Sequence, residues 1–547
     1  MPNVPRFRPK LIEILSQYTP ARLRNDILAG ITVGILALPL AIAFAIASGM
    51  TPESGIYTAI IAGFIISTLG GSRVQIGGPT GAFIVIVYGI VINYGVPNLI
   101  ICTMMAGLML LAMGLLGLGS WIRFIPVSVV SGFTKGIALL ILLSQVRDFL
   151  GLKIKRLPAE FFSQITTLWV GLPSANTPTI ILGLACIGTL LAWPQRWRSL
   201  PSPIAVLILA TAGVALLNIP VETMGSRYGG IPQSLPSFSS PLITIETLRH
   251  LISPAIAIAL LGAIESLLSA TVADHQIDDR HDPNQELMAQ GIANIVAPLF
   301  GGFCATGAIA RTNTNVRMGA FGPISGIVHA LTLLLIILVA APLAKFIPLV
   351  ALSAILIMVA WHMGEWRQLK EMKRYSLNYR AILMASFLLT VIFDLTVAVE
   401  IGMVMAAIFF ITRITSLTTI QDCTTDEADS AHIKHYQFYG SLFFGSAQKL
   451  EPLLDHGEPI DTTQIIILDL EHTLNIDTTG LDLLEAIQRK LLKHNKTLIL
   501  CNANTQALSL IQRSGFANAL GANLYTTTQS AMDAALIINQ KKPRVTV

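Results

Sequence analysis

The stretch Leu261–Asp274, LGAIESLLSATVAD, continues a run of mostly apolar residues and reads as a membrane helix, yet it carries a carboxylate, Glu265, near its middle. A charge at that depth costs about 3 kcal/mol or more on insertion scales, and intramembrane carboxylates mark ion or proton paths. Glu265 is therefore a candidate proton carrier: neutral, it admits an anion; charged, it repels one. Ser269 lies one turn on, at i+4, on the same helix face by spacing. Two further stretches, GGSRVQIGGPTGAF (Gly70–Phe83) and GGFCATGAIARTNTN (Gly301–Asn315), place glycine-rich backbone at the start of apolar segments. Irregular backbone at membrane depth survives only where it lines a cavity or is buried in protein. A helix that starts there presents unpaired N–H groups and a partial positive charge, an anion site that needs no fixed lysine. In IGGPTGAF the glycines allow close approach and Pro79 is tolerated at a helix start, while Thr80 and Thr306 add hydroxyls at the two ends. Arg311 follows in the second stretch. It supplies a charge-assisted bond to an anion, or it pairs with Glu265 or with carbonyls, and both readings stay open.

The elements that hold these residues follow from composition. Hydrophobic residues make up 53% of the 547 and charged ones 12%, with mean hydropathy +0.67, whereas a soluble domain carries about 25% charged residues. Most of the chain cannot face water, so it is a polytopic membrane protein. A net charge of +5 gives no support for a nucleic-acid partner. The five cysteines are scattered without a CxxC pair, which argues against a disulfide framework or metal site. No nucleophile–base pair points to an enzyme, and no cofactor is expected. Residues 1–26 are polar and basic without an apolar h-region, so they read as a cytoplasmic N-terminal segment rather than a cleaved signal.

Candidate spans begin near Ile27, Ile56, Asn98, Phe124, Thr179, Ile204, Ser253, Pro323, Phe346, Ala381 and Leu395. The two broken segments and a helix beginning near Glu286 bring the total to about fourteen. Pro39 and Glu265 stand 226 residues apart, and Pro79 and Thr306 stand 227 apart. Interrupted segments at equivalent places in two halves point to inverted repeats with a midplane site. The expected membrane domain is 27–415, with repeats at about 27–220 and 250–415. Lysine and arginine place the N-terminus in the cytoplasm: Arg6, Arg8, Lys10, Arg22 and Arg24 precede the first span, and Arg196, Arg198, Arg367, Lys370, Lys373, Arg374 and Arg380 fall on that side. Arg147, Lys153, Lys155 and Arg156 fall outside and break the rule. The acidic stretch Asp274–Glu286, with His275 and His281, reads as a solvated loop rather than a metal site, and Asp394 reads as an interhelical turn. Residues 416–547 change character: IIILDL and TLILCN read as buried parallel strands, and TTGLDLLEAIQRKLLKHN as an amphipathic helix with Thr478 or Thr479 as its cap. This is a small α/β domain.

LPLAIAFAIASG (Leu38–Gly49), GGSRVQIGGPTGAF, GAIESLLSATVAD, NQELMAQGIANIVAPLFGG (Asn284–Gly302) and ATGAIARTNTN together resemble the SulP anion transporter family, and the tail with NIDTTG (Asn475–Gly480) resembles its STAS domain. The resemblance implies an α-helical membrane fold of about fourteen spans in a seven-plus-seven inverted repeat, whose core domain moves against a gate domain, elevator-fashion. It implies substrate contact at Phe44, Gly78, Thr80, Thr306, Gly307, Ala310 and Arg311, and proton coupling at Glu265 and Ser269. The family's sodium-coupled bicarbonate branch has aspartate where Glu265 stands and a hydroxyl residue where Ile309 stands, so both positions argue against a sodium site. AGITVGI, GAIESLL and LIMVAWHM are more similar to the proton-coupled four-carbon dicarboxylate carrier. The expected activity is proton-coupled symport of succinate, fumarate or aspartate, with sulfate or bicarbonate transport or exchange as the alternative. Rival readings are a uracil-type nucleobase permease, which lacks a STAS tail, and a membrane-anchored STAS scaffold. The resemblance further implies a homodimer in a bacterial inner membrane, both termini cytoplasmic, with a cytoplasmic partner for the STAS domain. In soluble relatives a hydroxyl residue of the STAS loop is phosphorylated; here Thr478 or Thr479 stands there, and helix capping is the plainer role.

Overall fold

The computed structural model describes residues 7–194, 201–234, 236–241, 244–393, 395–424, 432–450 and 463–541. Arg6, Arg196, Arg198 and Asp394 lie outside the described residues. The chain forms two compact units, Met1–Met403 and Val404–Val547.

The first unit is helical. Its first half runs α1 (Pro20–Ala47), α2 (Pro52–Leu69), β1 (Gly77–Gly78), α3 (Ile84–Tyr94), α4 (Val96–Leu115), α5 (Val127–Phe149), α6 (Thr177–Ala192) and α7 (Ser202–Leu217). The second half repeats that order: α8 (Ile245–Ile277), α9 (Pro283–Leu299), β2 (Thr306–Gly307), α10 (Ile309–Arg317), α11 (Ile324–Ala344), α12 (Leu349–Met363), α13 (Leu377–Ile392) and α14 (Leu395–Leu417), the last crossing into the second unit. Among the described residues eight helices are long and apolar enough to cross a membrane. The pair Phe161–Ser174 and Thr177–Ala192, bent by 114°, brings the number to nine when counted as one span, and there are three shorter apolar helices. With α9 and α10 these make fourteen segments, seven in each half.

Local sequence sets the starts. Thr19, Asn176, Thr244 and Asp282 each accept a bond from a backbone N–H in the first turn of α1, α6, α8 and α9. Proline fills the first turn of α1, α2, α4, α6, α7 and α9, where no N–H is needed. The expected solvated loop at Asp274–Glu286 is corrected: α8 runs on to Ile277, and Glu286 is fully buried in α9. Only the few residues between the helices are left as loop.

Two sub-bundles result. α1, α2, α4, α8, α9 and α11 pack on one another around β1 and β2, while α5 packs on α12 and α13, and α12 on α6 and α7. In the first, α4 and α9 approach so closely that a Cβ on Gly107 would lie 2.8 Å from the Gly291 carbonyl. Polar side chains of the same bundle pin the irregular backbone. The Glu286 carboxylate accepts the N–H groups of Gly71 (3.0 Å) and Ser72 (3.1 Å). Asn294 bonds both the N–H and the carbonyl of Ala305, each at 2.8 Å, and Thr58 accepts from Phe303 N–H at 2.8 Å. The basic cluster at the far end is partly neutralised: Arg147 (3.0 Å) and Arg227 (2.7 Å) both pair with Asp148.

In the second unit β4 (Ile433–Leu442), β5 (Ile465–Asp469), β7 (Thr497–Cys501) and β8 (Leu524–Tyr525) run parallel; β3 (Thr419–Asp422) joins β4 antiparallel, and β6 (Thr473–Ile476) pairs with β4. Ile466, Leu468 and Leu498 face a core with Leu484 and Ile487 of α15 (Thr478–Lys493). Ile465, Ile467 and Ile499 face another with Ala531 and Ala535 of α16 (Thr528–Lys541). Both faces are covered, which is why IIILDL reads as an unbroken apolar run. The cap of α15 is Asp477, whose carboxylate accepts Gly480 N–H at 2.8 Å. This corrects the expected cap: Thr478 and Thr479 lie inside the first turn with exposed side chains. At the end of β5, Asp469 accepts from Thr528 (2.7 Å), Asn502 (3.0 Å) and Glu471 N–H (2.9 Å), with His435 at 3.8 Å. Burial opposes its charge, but these partners outweigh it and hold the Asp469 carboxyl well below the usual carboxylate range.

Candidate anion site

The two broken segments meet. β1 and β2 cross as an antiparallel pair with Gly77 opposite Gly307 and Gly78 opposite Thr306. Ala308 N–H donates to Ile76 O at 2.8 Å, and Ile76 N–H to Thr312 Oγ1 at 3.1 Å. Backbone that leaves the helical ladder in the membrane is thus satisfied by its counterpart from the other repeat. Past the crossing, Thr80 leads through one tight turn, Gly81–Phe83, into α3, and Ala308 leads into α10. Gly78 has φ +145°, and a Cβ there would lie 2.5 Å from Arg311 Nη1, so only glycine fits.

A cavity of about 1480 Å³ opens at this crossing. Five candidate residues line it: Phe44 from α1, Thr80, Glu265 from α8, and Ala310 and Arg311 from α10. The Thr80 hydroxyl is buried without a hydrogen-bond partner among the described residues. Glu265 is 9% exposed and makes no ion pair among the described residues. Arg311, 1% exposed, donates through Nη2 to the Pro79 carbonyl, and its Nη1 has no partner among the described residues. Of the readings open for Arg311, pairing with Glu265 is absent and bonding to a carbonyl is present. The guanidinium therefore holds α10 to the end of β1 and puts a full positive charge beside the tip of the α3 segment.

Gly78, Thr306, Gly307 and Ser269 form the wall behind the cavity. Thr306 Oγ1 donates to Gly262 O (3.0 Å) and contacts Ser266 Oγ (2.6 Å); Gly307 N–H donates to Ser266 Oγ (3.1 Å). Ser269 Oγ donates to Thr312 Oγ1 at 3.3 Å. Ser266 was not singled out in the sequence, yet it binds β2 to α8. Its signal is the small-residue stripe Gly262, Ser266, Ser269, Ala270 and Ala273, which marks the α8 face turned to β2 and α10.

Lys135 of α5 was also missed. It lines the same cavity, although it is only 1% exposed. A lone lysine in an apolar run reads as a span boundary rather than as part of a site, and nothing in its local sequence says otherwise. Toward the opening the cavity is bordered by Asp274, His281, Glu365, Gln368 and Tyr379, with His281 Nδ1 and Asp274 Oδ2 at 2.6 Å.

The chemistry this allows is specific. Two helix starts and a guanidinium make the crossing electropositive, an unpaired hydroxyl is available to an oxygen ligand, and the Glu265 carboxylate shares the space. An anion and an ionised Glu265 repel each other there.

The profile of the sulfate permease family matches residues 23–386, and that of the STAS domain matches residues 426–531. The Bacillus subtilis protein named "Putative sulfate transporter YvdB" is 41% identical over 511 residues, covering 92% of this chain and 96% of that one. The bicarbonate transporter BicA of Picosynechococcus is 30% identical over 464 residues, covering 78% of this chain and 80% of its own. Among solved structures, the transmembrane domain of a cyanobacterial BicA aligns with TM-score 0.65 at 31% identity, over 70% of this chain and 98% of that one. SLC26A9 shares the fold, with TM-score 0.83 at 18% identity, over 97% of this chain and 93% of its own. The chain belongs to the sulfate permease (SulP) family: it is a multi-pass membrane anion transporter with a C-terminal STAS domain, not an enzyme.

Proposed function

We propose that the chain is a proton-coupled symporter of sulfate or of a C4-dicarboxylate such as succinate, fumarate or aspartate. The observation that carries this reading is the presence of Glu265, Thr80 and Arg311 in one cavity at the strand crossing. Proton binding to Glu265 removes a negative charge from that space and admits the anion; loss of the proton expels it. Phe44, Thr80, Ala310 and Arg311 contact the anion, while Gly78, Thr306, Gly307 and Ser269 keep the two tips in place. The name of YvdB supports sulfate. The residues around Glu265 support a dicarboxylate, and the name of BicA supports bicarbonate as the second reading. Against sodium-driven bicarbonate uptake stands Ile309, an aliphatic side chain in the cavity wall that offers no oxygen to a cation.

The cavity mouth carries the end of α8, and Lys10 from the N-terminal segment pairs with Asp279 there at 3.6 Å. With the N-terminus in the cytoplasm, as the basic residues suggest, this is an inward-open state. The sub-bundle of α1–α4 and α8–α11 would slide against α5–α7 and α12–α14 to reach the other side. We place both termini and the STAS domain, taken from residue 416, in the cytoplasm of a bacterial cell, and the working unit as a homodimer. Thr478 and Thr479, exposed at a helix start, suit a regulatory phosphate or a docking partner. Purified protein in liposomes tests the reading. An inward proton gradient should accelerate uptake of labelled sulfate or succinate; acceleration by sodium instead, or by neither ion, would refute it.

A further inference from the structure

Among the described residues Lys135 makes no direct ion pair. Its ammonium donates to Ser131 Oγ at 2.8 Å and to Gln368 Oε1 at 2.9 Å, both neutral, and among the described residues no carboxylate lies within the 4.0 Å of an ion pair. An ammonium has three donors, so one remains. The nearest acid in the network is Glu365, and Gln368 stands between them: its Nε2 donates to Glu365 while its Oε1 accepts from Lys135. The amide keeps lysine and glutamate out of direct contact, so Glu365 offsets the lysine charge only in part. A buried charge left in this way is expensive unless something offsets it, and the 1480 Å³ cavity that Lys135 lines is the one that holds the anion site.

The position on α5 sets the range. Ile141 of α5 packs against Gly81, next to Thr80. Lys135 lies six residues earlier, about 9 Å along the helix. With its ammonium held by Ser131 and Gln368 rather than by a group of the crossing, the lysine acts on a small anion there through the field in the cavity rather than by contact. A field stabilises charge in proportion to its amount, so a divalent ion gains twice the free energy of a monovalent one.

We propose that Lys135 is the specificity-determining residue that makes this site prefer divalent over monovalent anions. The proposal rests on the anion-binding reading of the cavity. It has a quantitative signature: the factor by which a neutral residue at 135 weakens divalent uptake is the square of the factor for a monovalent ion. A threefold loss for bicarbonate corresponds to about a tenfold loss for sulfate.

The test compares initial uptake of labelled sulfate and labelled bicarbonate in liposomes, with the poorer substrate scored as a competitor of the better one. Lys135→Gln should lower the sulfate-to-bicarbonate ratio at least threefold, and Lys135→Arg should restore most of it. Gln368→Ala, which lets Lys135 pair with Glu365, should lower the ratio in the same direction. A variant that merely packs badly reduces both anions by one factor; that result, or an unchanged ratio in Lys135→Gln, overturns the proposal. A wild type that neither moves nor binds either anion overturns the anion reading itself and this proposal with it.

Discussion

Glu265 and Thr80 reach one space from opposite repeats, and each leaves its function to whatever enters between them. Glu265→Gln keeps the shape and removes the titration. Uptake driven by a proton gradient should fall by about 10²-fold, while exchange of labelled for unlabelled anion at equal pH continues. Equal loss of both would make Glu265 a packing residue. Thr80→Val removes the unpaired hydroxyl and should weaken half-saturation several-fold without altering the pH dependence. Ser266 is a different case, since its hydroxyl serves Thr306 and Gly307 N–H within the wall. Ser266→Ala strands buried polar groups at a cost of about 1–3 kcal/mol, visible as a lower melting temperature in detergent before any change in substrate preference.

At the scale of elements, the broken segments were legible because glycine, proline and threonine cluster where a continuous helix is expected, at matched positions in two halves. Their pairing as strands was not legible: two residues on each side give no alternation to read. Eleven of the fourteen segments could be read from hydropathy and the other three from the glycine-rich breaks and the helix near Glu286, but the continuation of α8 to Ile277 was hidden by its polar last turn, and the burial of Glu286 by the acids around it. Ser266 and Lys135 escaped because their roles depend on the neighbour each meets, and periodicity gives a face without naming what lies opposite. Two changes probe the crossing as a unit. Gly78→Ala forces a Cβ against Arg311 and a strained φ, and should abolish transport even in protein that still inserts. Asn294→Ala leaves the N–H and carbonyl of Ala305 unpaired and should lower both thermal stability and uptake. Near-normal activity in either variant would show that the tips do not need that geometry.

At the scale of the whole molecule, two units with separate cores respond to different conditions. The STAS unit carries Asp469, whose depressed carboxyl contributes stability that is complete above the ordinary aspartate range and is lost as pH falls through its folded value. In the full-length protein the transition of this unit should therefore weaken below about pH 4, and Asp469→Asn should lower it at pH 7 while flattening that acid slope; calorimetry across pH separates the two. The membrane unit faces another constraint, set by Gly77 and its partner Gly307, 230 residues further along the chain. At about 5–20 residues per second of synthesis, the first strand leaves the ribosome tens of seconds before the second exists. During that interval its glycines cannot rest against lipid. The nascent first half must be sheltered at the insertion machinery until the second arrives, and a chain cut between the halves should be cleared by quality control unless both pieces are made together.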